Sequence, residues 1–392
     1  MPRHVLSTSP DVTLFTEARL DQMPDGSHVS DDPNMQGSRW AVFLPTIDQP
    51  VLAARSRPVT SEASAHRLEG NVFALPYYVG LRQAVRTLPA LFTQIDRAVR
   101  RSDVVVARLP GVVGSLAAFC AVVRRRPLAV EVVGDVAAVV SSAVPGQLGR
   151  LAARLAAGTT SWCAKRAGAA RYVTRASLQA LHPPRPGARS VSVSGVSITT
   201  TALRPDLVVR GRVVAVGSQE QMYKGHDVLL RALAVLRAQG QDLHLQLVGQ
   251  GRHHQHLRRL AADLGVQDHV AFISVIGTKT EMTDLLDTAE IFAMPSLTEG
   301  LPRVLIEAMA RGAVCVGSEV GGIPELLDAS VLCPVGDSDA LAVLLRRLHN
   351  DPDLRVLHSQ RNLDRSRDFS EDVLQARRVA WSDAVKMLAG AR

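Results

Sequence analysis

Lys224 is the most informative charged residue in the sequence, because its position and its rarity both favour contact with an anion. It is one of four lysines, whereas arginine supplies the other 41 of the 45 basic side chains. It lies in the segment 216–226, between an apolar run and a helical pattern. A helix start is a ready anion site, and a lysine without a ligand is disfavoured there by the macrodipole. We therefore predict a phosphate contact at Lys224, with a solvated lysine as the alternative.

Two glutamates, Glu299 and Glu307, lie in a second segment of the same kind. Glu299 belongs to the loop 295–303, where Gly300 permits close approach of the backbone to a ligand and a proline fits the first helical position. Glu307 lies one helical turn after Arg303, so these two side chains can pair. Both glutamates are candidate ligand-binding residues. The alternatives are a helix cap for Glu299 and an ion pair with Arg303 for Glu307.

The elements around these residues favour a parallel sheet in the second half of the chain. Short apolar runs alternate there with amphipathic segments such as 227–237 and 256–264, as expected of βαβ units. Ligands bind such sheets beyond the carboxyl ends of the strands. The runs predicted to be strands are 212–217, 243–249, 269–273, 290–294, 313–317 and 330–333.

In the first half of the chain, apolar runs and amphipathic segments alternate less regularly. The segment 82–100 has the apolar and basic faces of a helix, 56–70 is polar and loop-like, and 199–207 is the predicted linker between two domains. A length of 392 residues also favours two domains. The predicted strands of this half are 41–44, 51–54, 104–107, 129–133 and 171–174.

Composition narrows the class of partner. A net charge of +8 favours an anionic partner, but an aromatic content of 4% and scattered basic residues argue against nucleic-acid binding. The sequence has no apolar leader and no run of 18 uncharged apolar residues, so we expect a cytoplasmic protein. Weak peripheral contact with an anionic membrane through 82–100 or 124–126 stays open.

The cysteines and histidines do not suggest a metal site. The four cysteines form no C-x-x-C pair, and we interpret them as reduced core residues. The histidines at 253, 254 and 256 are interpreted as a surface tract. We therefore expect neither a metal ion nor a cofactor.

The motifs together resemble a known family. Gly217 with Lys224, the Glu299-x7-Glu307 spacing within PSLTEGLPRVLIEAMARG, and the segment EVGGIPEL resemble the retaining glycosyltransferases of family 4, over 212–351. The resemblance implies an α/β protein of two facing Rossmann-like domains, the GT-B architecture, with an inter-domain cleft. It implies an acceptor-binding domain over 1–205, a nucleotide-sugar donor domain over 206–368, and a C-terminal helix over 369–392 that packs back on the first domain.

The resemblance also implies roles for the residues. Lys224 would neutralise the diphosphate of the donor, Glu299 would contact the sugar hydroxyls, and Glu307 would bind the ribose. The N–H groups of Gly300 and Leu301 would hold the phosphates. The base would lie near Val275, Ile276 and Gly277.

Two positions depart from the family pattern. The family often has an arginine after the glycine equivalent to Gly217, where this chain has Ser218; Arg303 is a candidate substitute. In the first domain, Asp135 occupies a position where the family often carries a histidine near the reacting centre. It is either a catalytic residue or an ordinary loop carboxylate. The loop 25–28 is a further candidate.

The predicted activity is hexosyl transfer with retention, from a nucleoside-diphosphate sugar to a hydroxyl acceptor. A UDP-sugar is the favoured donor, and natural products, polysaccharides and glycolipids are the acceptor classes considered. The alternatives are a phosphorylase-like enzyme with a related site and a peripheral membrane enzyme that forms glycolipids.

Overall fold

The computed structural model describes residues 10–32, 35–60, 66–135, 146–196, 198, 205–274 and 276–390. The chain folds as two compact units. The first unit contains the described residues up to Gly134, Arg154–Val193 and the chain from Gln375 onward. The second contains the described part of Asp135–Ala153 and Ser194–Leu374.

The first unit is built on a nine-stranded sheet. Strands β5-β3-β1-β6-β7-β8-β9 run parallel in that order, β2 pairs antiparallel with the end of β1, and β4 pairs antiparallel with β2. The elements in chain order are β1 (Val12–Gln22), β2 (His28–Ser30), β3 (Val51–Pro58), β4 (His66–Arg67), β5 (Asn71–Pro76), α1 (Gly80–Arg101), β6 (Val104–Leu109), α2 (Val112–Val123), β7 (Leu128–Val132), α3 (Gln147–Ala164), β8 (Ala169–Tyr172), α4 (Ser177–Leu181) and β9 (Arg189–Ser192).

Two sequence predictions for this unit were wrong. The segment 41–44 is not a strand: a 3-10 turn at Arg39–Ala41 leads into further turns, and Leu44 is buried against the sheet. A short apolar run indicates burial without fixing the backbone conformation. The segment 56–70 is not all loop, because β3 continues to Pro58 and β4 lies within it. Strand β1 was not predicted at all.

The second unit is a six-stranded parallel sheet in the order β12-β11-β10-β13-β14-β15. Each of the six predicted runs overlaps one of these strands, with ends that differ by at most three residues. The elements are β10 (Val209–Val216), α5 (His226–Ala238), β11 (His244–Val248), α6 (His254–Asp263), β12 (Val270–Ile273), α7 (Lys279–Asp287), β13 (Ala289–Met294), α8 (Arg303–Ala310), β14 (Val314–Ser318), β15 (Leu332–Cys333), α9 (Ser338–Asn350) and α10 (Pro352–Ser366).

This strand order places a topological switch point between β10 and β13. The chain moves outward from β10 through β11 to β12, then returns to the other side of β10 with β13. The loops that follow β10 and β13 therefore leave neighbouring strands in opposite directions, and the crevice between such loops is where open α/β sheets bind ligands. These are the two loops that carry Lys224 and Glu299.

The last helix, α11 (Glu371–Ala389), packs back on the sheet of the first unit. Trp381, Ala384 and Val385 share a buried cluster with Leu14 and Leu52 of that sheet. Trp381 has no exposed surface. This part of the fold prediction is confirmed, and the helix begins at Glu371.

All four cysteines are buried and unpaired. Among the described residues, no helix combines the length and the apolar character needed to cross a membrane.

Candidate functional site

Three loops at the carboxyl end of the second sheet are joined by backbone hydrogen bonds. The N–H of Leu297, after β13, donates to the carbonyl of Tyr223, after β10, at 2.7 Å. The N–H of Gly322, after β14, donates to the carbonyl of Gly300 at 2.7 Å. The loop after β13 is thus held on both sides, and its position is fixed by its neighbours.

Two glycines make this close approach possible. Gly225 has φ +68°, and a Cβ there would lie 1.9 Å from the carbonyl oxygen of Pro295. Gly321 has φ +56°, and a Cβ there would lie 1.9 Å from the carbonyl oxygen of Glu299. Both positions require a left-handed backbone and leave no room for a side chain.

Lys224 and Glu299 form an ion pair at the centre of these loops. The Lys224 Nζ donates to Glu299 Oε1 at 2.6 Å, and the hydroxyl of Ser296 donates to the same oxygen at 2.8 Å. The side chains are 18% and 8% exposed, so the pair is largely shielded from water. Lys224 ends a short 3-10 turn (Met222–Lys224), and helix α5 begins two residues later at His226. The structure therefore brings together two residues that lie 75 positions apart.

His226 lies beside this pair and was not singled out from the sequence. It is 4% exposed, and burial, with a smaller effect of the Lys224 charge, lowers its pKa to about 4. A neutral imidazole therefore lies behind the lysine at neutral pH. Gly217 completes the packing, because a Cβ there would lie 3.0 Å from Lys224 Cγ and 3.1 Å from His226 Nε2.

The start of helix α8 presents unused backbone donors next to the ion pair. In the described part of the chain, no acceptor is found for the N–H groups of Gly300, Leu301, Arg303 and Val304. Pro302 precedes the helix and has no N–H to satisfy. Free N–H groups and the positive end of the helix dipole make this segment suitable for an anion.

Arg303 and Glu307 do not form the ion pair that their spacing allows. Arg303 is exposed, and within the described residues neither side chain has a hydrogen-bonded or ionic partner. Burial raises the pKa of Glu307, while the charges of Arg303 and Lys279 act in the opposite direction. Both side chains are consequently available to a ligand.

The loop after β10 is stabilised from its other side by the loop after β11. Gln219 is fully buried, and its N–H donates to the carbonyl of Gln250 at 2.9 Å. Its side-chain oxygen lies 2.7 Å from the Nδ1 of His254. Ser218, at the position of the expected arginine, accepts the N–H of Glu220 at 3.2 Å and so helps to shape the loop. Gln219 was missed because glutamine carries no distinctive sequence signal.

The predicted base-binding segment is only partly described. Val275 lies outside the described residues, Ile276 is half-buried and Gly277 is exposed. The N–H of Gly277 donates to Glu281 Oε2 at 2.9 Å, and Thr278 and Glu281 form a capping box at the start of α7. The described part of this segment is thus fixed by the helix that follows.

Asp135 follows strand β7 of the first unit along the chain and is the first residue of a segment that belongs to the second unit. A buried ion cluster anchors this strand: Glu131 accepts from Arg108 at 2.8 Å and from Arg171 at 2.9 Å. Burial alone would raise the pKa of Glu131, but Arg171 and Arg108 outweigh it and hold the pKa at about 2. Asp135 therefore extends from a well-fixed strand.

The loop 25–28 has the contacts of an ordinary turn. Asp25 accepts the N–H of Ser27 at 2.9 Å and pairs with Arg67 at 2.7 Å. These contacts join β1 to β2 and β4. The Asp25 carboxylate therefore stabilises the turn.

No cluster of three or more metal-ligating side chains is found among the described residues. In the tract of three histidines, His254 is bonded to Gln219, and the rings of His253 and His256 contact each other edge to face. These contacts suit the sequence interpretation of the tract as part of the ordinary surface structure.

Comparison with known proteins gives a family match for the segment that carries Lys224, Glu299 and Glu307. Residues 210–351 match the family described as glycosyl transferases group 1. The chain is 25% identical to protein CapJ of Staphylococcus aureus over 313 residues, which is 79% of each protein. It is 39% identical to the GDP-mannose-dependent alpha-(1-6)-phosphatidylinositol monomannoside mannosyltransferase of Mycolicibacterium smegmatis, over 33% of this chain and 36% of that protein. The latter match spans about a third of the relative.

Solved structures show the same architecture. Anabaena HepE, determined in complex with UDP-glucose, superposes with a TM-score of 0.66 over 95% of this chain and 100% of its own, at 17% identity. Identity at this level supports the fold alone. The chain has the fold of the GT-B glycosyltransferases, and residues 210–351 form a glycosyl transferases group 1 domain.

Proposed function

We propose that the chain is a retaining glycosyltransferase of family 4, which transfers a hexosyl group from a nucleoside-diphosphate sugar to a hydroxyl acceptor. The observation that carries this proposal is the pairing of Lys224 with Glu299 beside the free N–H groups at the start of α8. A cation and a row of backbone donors suit a diphosphate, and a carboxylate beside them suits sugar hydroxyls.

The diphosphate is assigned to Lys224 and to the N–H groups of Gly300 and Leu301. Lys224 uses one of its three donor protons on Glu299 and keeps the others for phosphate oxygens. Arg303, exposed and unpaired within the described residues, supplies a second positive charge in place of the arginine that Ser218 replaces. Gly217 keeps Lys224 and His226 close to the strand end.

The remaining groups of the donor are assigned to carboxylates and backbone. Glu299, fixed by Ser296, accepts hydrogen bonds from the sugar hydroxyls, and Glu307 accepts them from the ribose. The partial burial of Glu307 suits this role, because ribose hydroxyls can replace the water that burial removes. The base is assigned to the segment of Val275, Ile276 and Gly277.

The chemistry follows from where charge develops. As the anomeric bond breaks, negative charge gathers on the departing diphosphate, and Lys224, Arg303 and the α8 N–H groups stabilise it. Prearranged charges of this kind contribute several kcal/mol to a transition state. They also provide the positive charge that a divalent ion supplies elsewhere, so we propose a reaction independent of metal and of any cofactor. Asp135 is proposed to orient the acceptor hydroxyl.

For the donor we propose a UDP-sugar, with a GDP-sugar as the competing outcome. HepE was solved with UDP-glucose, whereas the mycobacterial relative is named for GDP-mannose. The acceptor is proposed to be a hydroxyl of a natural product, a polysaccharide or a glycolipid. We propose a cytoplasmic enzyme.

The test is turnover of a panel of UDP-, GDP- and ADP-sugars, measured as release of the nucleoside diphosphate with EDTA present. We expect one base to be strongly preferred, and NMR of the new anomeric centre to show the configuration of the donor. Release that requires a divalent metal would contradict the metal-independent mechanism. Turnover that requires inorganic phosphate and no nucleotide would instead favour a phosphorylase.

A further inference from the structure

The outer surface of helices α1 and α2 in the first unit combines exposed apolar side chains with arginines. On α1, Val85, Leu88 and Phe92 are 57%, 36% and 42% exposed; on α2, Phe119 and Val123 are 46% and 58% exposed. These five residues, with the arginines between positions 82 and 126 on the same helices and at their ends, are called the α1–α2 face. Single exposed apolar residues are ordinary, but five of them on two adjacent helices, with arginines on the same helices, point to an interaction surface.

The spacing on α1 separates the two kinds of side chain. Val85, Leu88 and Phe92 are spaced i, i+3 and i+7 and so form one stripe. Arg82 and Arg86 are spaced i and i+4 and form the neighbouring stripe. Helix α1 thus carries an apolar stripe beside a cationic one, which is the pattern of a helix that lies in a membrane interface.

The two helices belong to one continuous layer. Asp96 on α1 accepts from Arg124 at the end of α2 at 2.8 Å, and the ring of Phe119 lies 6.4 Å from the ring of Trp162 on α3. All three helices contribute to the same buried cluster beneath. The exposed apolar side chains of α1 and α2 therefore belong to neighbouring helices that cover the same buried cluster.

The charge of this region is strongly one-sided. Residues 80–126 contain nine arginines and two acidic residues, Asp96 and Asp103. Asp96 is already shared between Arg100 and Arg124. Within the described residues, no ion pair is formed by Arg82, Arg86, Arg101 or Arg125. The unpaired guanidinium groups are suited to an anionic partner, and the apolar stripe is suited to an apolar one.

We propose that the α1–α2 face docks on the surface of an anionic lipid bilayer. A bilayer interface offers both partners at once: lipid phosphates for the arginines and acyl chains for Phe92, Leu88 and Phe119. A nucleic acid would satisfy only the charges. This inference concerns the first unit and is independent of the proposed donor chemistry in the second.

The test is co-sedimentation of the full chain with vesicles of phosphatidylcholine, with and without phosphatidylglycerol, at low and high salt. We expect binding to the anionic vesicles that weakens with salt. Arg82→Gln/Arg86→Gln should weaken it about tenfold or more, since each arginine near an anionic surface contributes about 1 kcal/mol. Leu88→Ser/Phe92→Ser should weaken it without changing the salt dependence.

Matched controls use exposed residues of the same kinds in the second unit. Val356→Ser/Leu357→Ser, which replaces side chains 66% and 62% exposed, and Arg231→Gln/Arg347→Gln should leave vesicle binding unchanged. Nucleotide binding is measured for every variant. It reports on the donor site independently of vesicle binding, and a variant that binds nucleotide is folded. The proposal is overturned if the wild type does not bind anionic vesicles, or if it binds heparin but not vesicles. It is also overturned if the control variants lose as much vesicle binding as the variants of the α1–α2 face.

Discussion

At the scale of single residues, Lys224 pairs with one carboxylate, that of Glu299, among the described residues. Glu299 and Lys224 neutralise each other in a setting that is largely closed to water, where an unpaired charge would be costly. The diphosphate that we propose as the ligand would add acceptors to the lysine without removing Glu299. The pair thus holds both side chains in place for the proposed donor.

Arg303 provides the first prediction at this scale. Arg303→Ala should weaken binding of the preferred nucleoside diphosphate by about fivefold to tenfold, because an exposed arginine–phosphate contact contributes on the order of 1 kcal/mol. Isothermal calorimetry measures the effect. Arg303→Lys should recover part of the affinity, and Arg347→Ala, an exposed arginine elsewhere in the same unit, should change nothing. Equal affinity for Arg303→Ala and the wild type would remove Arg303 from the site.

His226 gives a prediction about pH. Its pKa falls from the ordinary 6.5 to about 4 on folding, so the unfolded chain takes up this proton more readily. The contribution of the neutral imidazole to the free energy of unfolding is fully present above pH 6.5. It is lost as the pH falls from 6.5 toward 4, and the total loss is about 3 kcal/mol. Urea unfolding at pH 7 and pH 4.5 should show His226→Asn losing less stability on acidification than the wild type does. Identical losses of stability in the wild type and in His226→Asn would contradict the lowered pKa of His226. His256→Asn, which replaces an exposed histidine, serves as the control.

At the scale of elements, the site depends on loops that cross close to one another. Gly225 and Gly321 allow the loops after β10, β13 and β14 to touch, and hydrogen bonds from Leu297 and Gly322 hold them there. The helix starts alone would not bring Lys224 to Glu299. What positions the ion pair is the strand order, which makes β10 and β13 neighbours.

A pair of glycine variants tests the close packing of the loops. Gly225→Ala places a Cβ 1.9 Å from the carbonyl oxygen of Pro295, so the loops must separate. Gly240 has a similar φ of +73° with nothing within 4 Å of its Cβ position. Gly240→Ala should cost about 1 kcal/mol of unfolding free energy from backbone strain alone, and Gly225→Ala at least twice that. Only Gly225→Ala should also impair nucleotide binding; equal effects of the two variants would show that the loop contact is unimportant.

The elements that could be predicted from the sequence are those whose local residue pattern is distinctive. The strands of the second unit are apolar runs flanked by helical periodicity, and the Lys224, Glu299 and Glu307 positions have a distinctive spacing. Strand β1 escaped prediction because charged residues interrupt it and its pairing shifts register between Phe15 and Arg19. The absence of an Arg303–Glu307 ion pair and the burial of His226 depend on tertiary packing, which local spacing does not specify.

At the scale of the whole molecule, most of the first unit precedes the second along the chain, and the chain comes back to the first unit from Gln375 onward. Helix α11 closes the first unit by placing Trp381 beside strands formed at the other end of the sequence. Thr46 of this unit also donates its N–H to the hydroxyl of Ser382 at 3.1 Å. The first unit therefore depends on the last residues of the chain, whereas the group 1 domain is continuous.

This connectivity predicts that a substitution at Trp381 lowers the stability of the first unit and leaves nucleotide binding by the second unit unchanged. Trp381→Ala should lower the free energy of unfolding by about 3–5 kcal/mol, because it leaves a large cavity in the first core. Trp381→Phe should cost markedly less. Under conditions where the variant stays folded, its affinity for the nucleoside diphosphate should equal that of the wild type, since the donor residues lie in the second unit. Loss of nucleotide affinity in parallel with stability would contradict this independence.

The most direct test of the donor site is calorimetric binding of UDP, GDP and ADP in the presence of EDTA, to the wild type and to Lys224→Ala. Lys386→Ala, which removes an exposed lysine of α11, is the matched control, and thermal unfolding without nucleotide verifies that each variant is folded. The account predicts that one nucleotide binds without metal and that Lys224→Ala alone weakens it by more than about tenfold, or about 1.4 kcal/mol. No binding by the wild type, or equal binding by a folded Lys224→Ala, would contradict the assignment of the site.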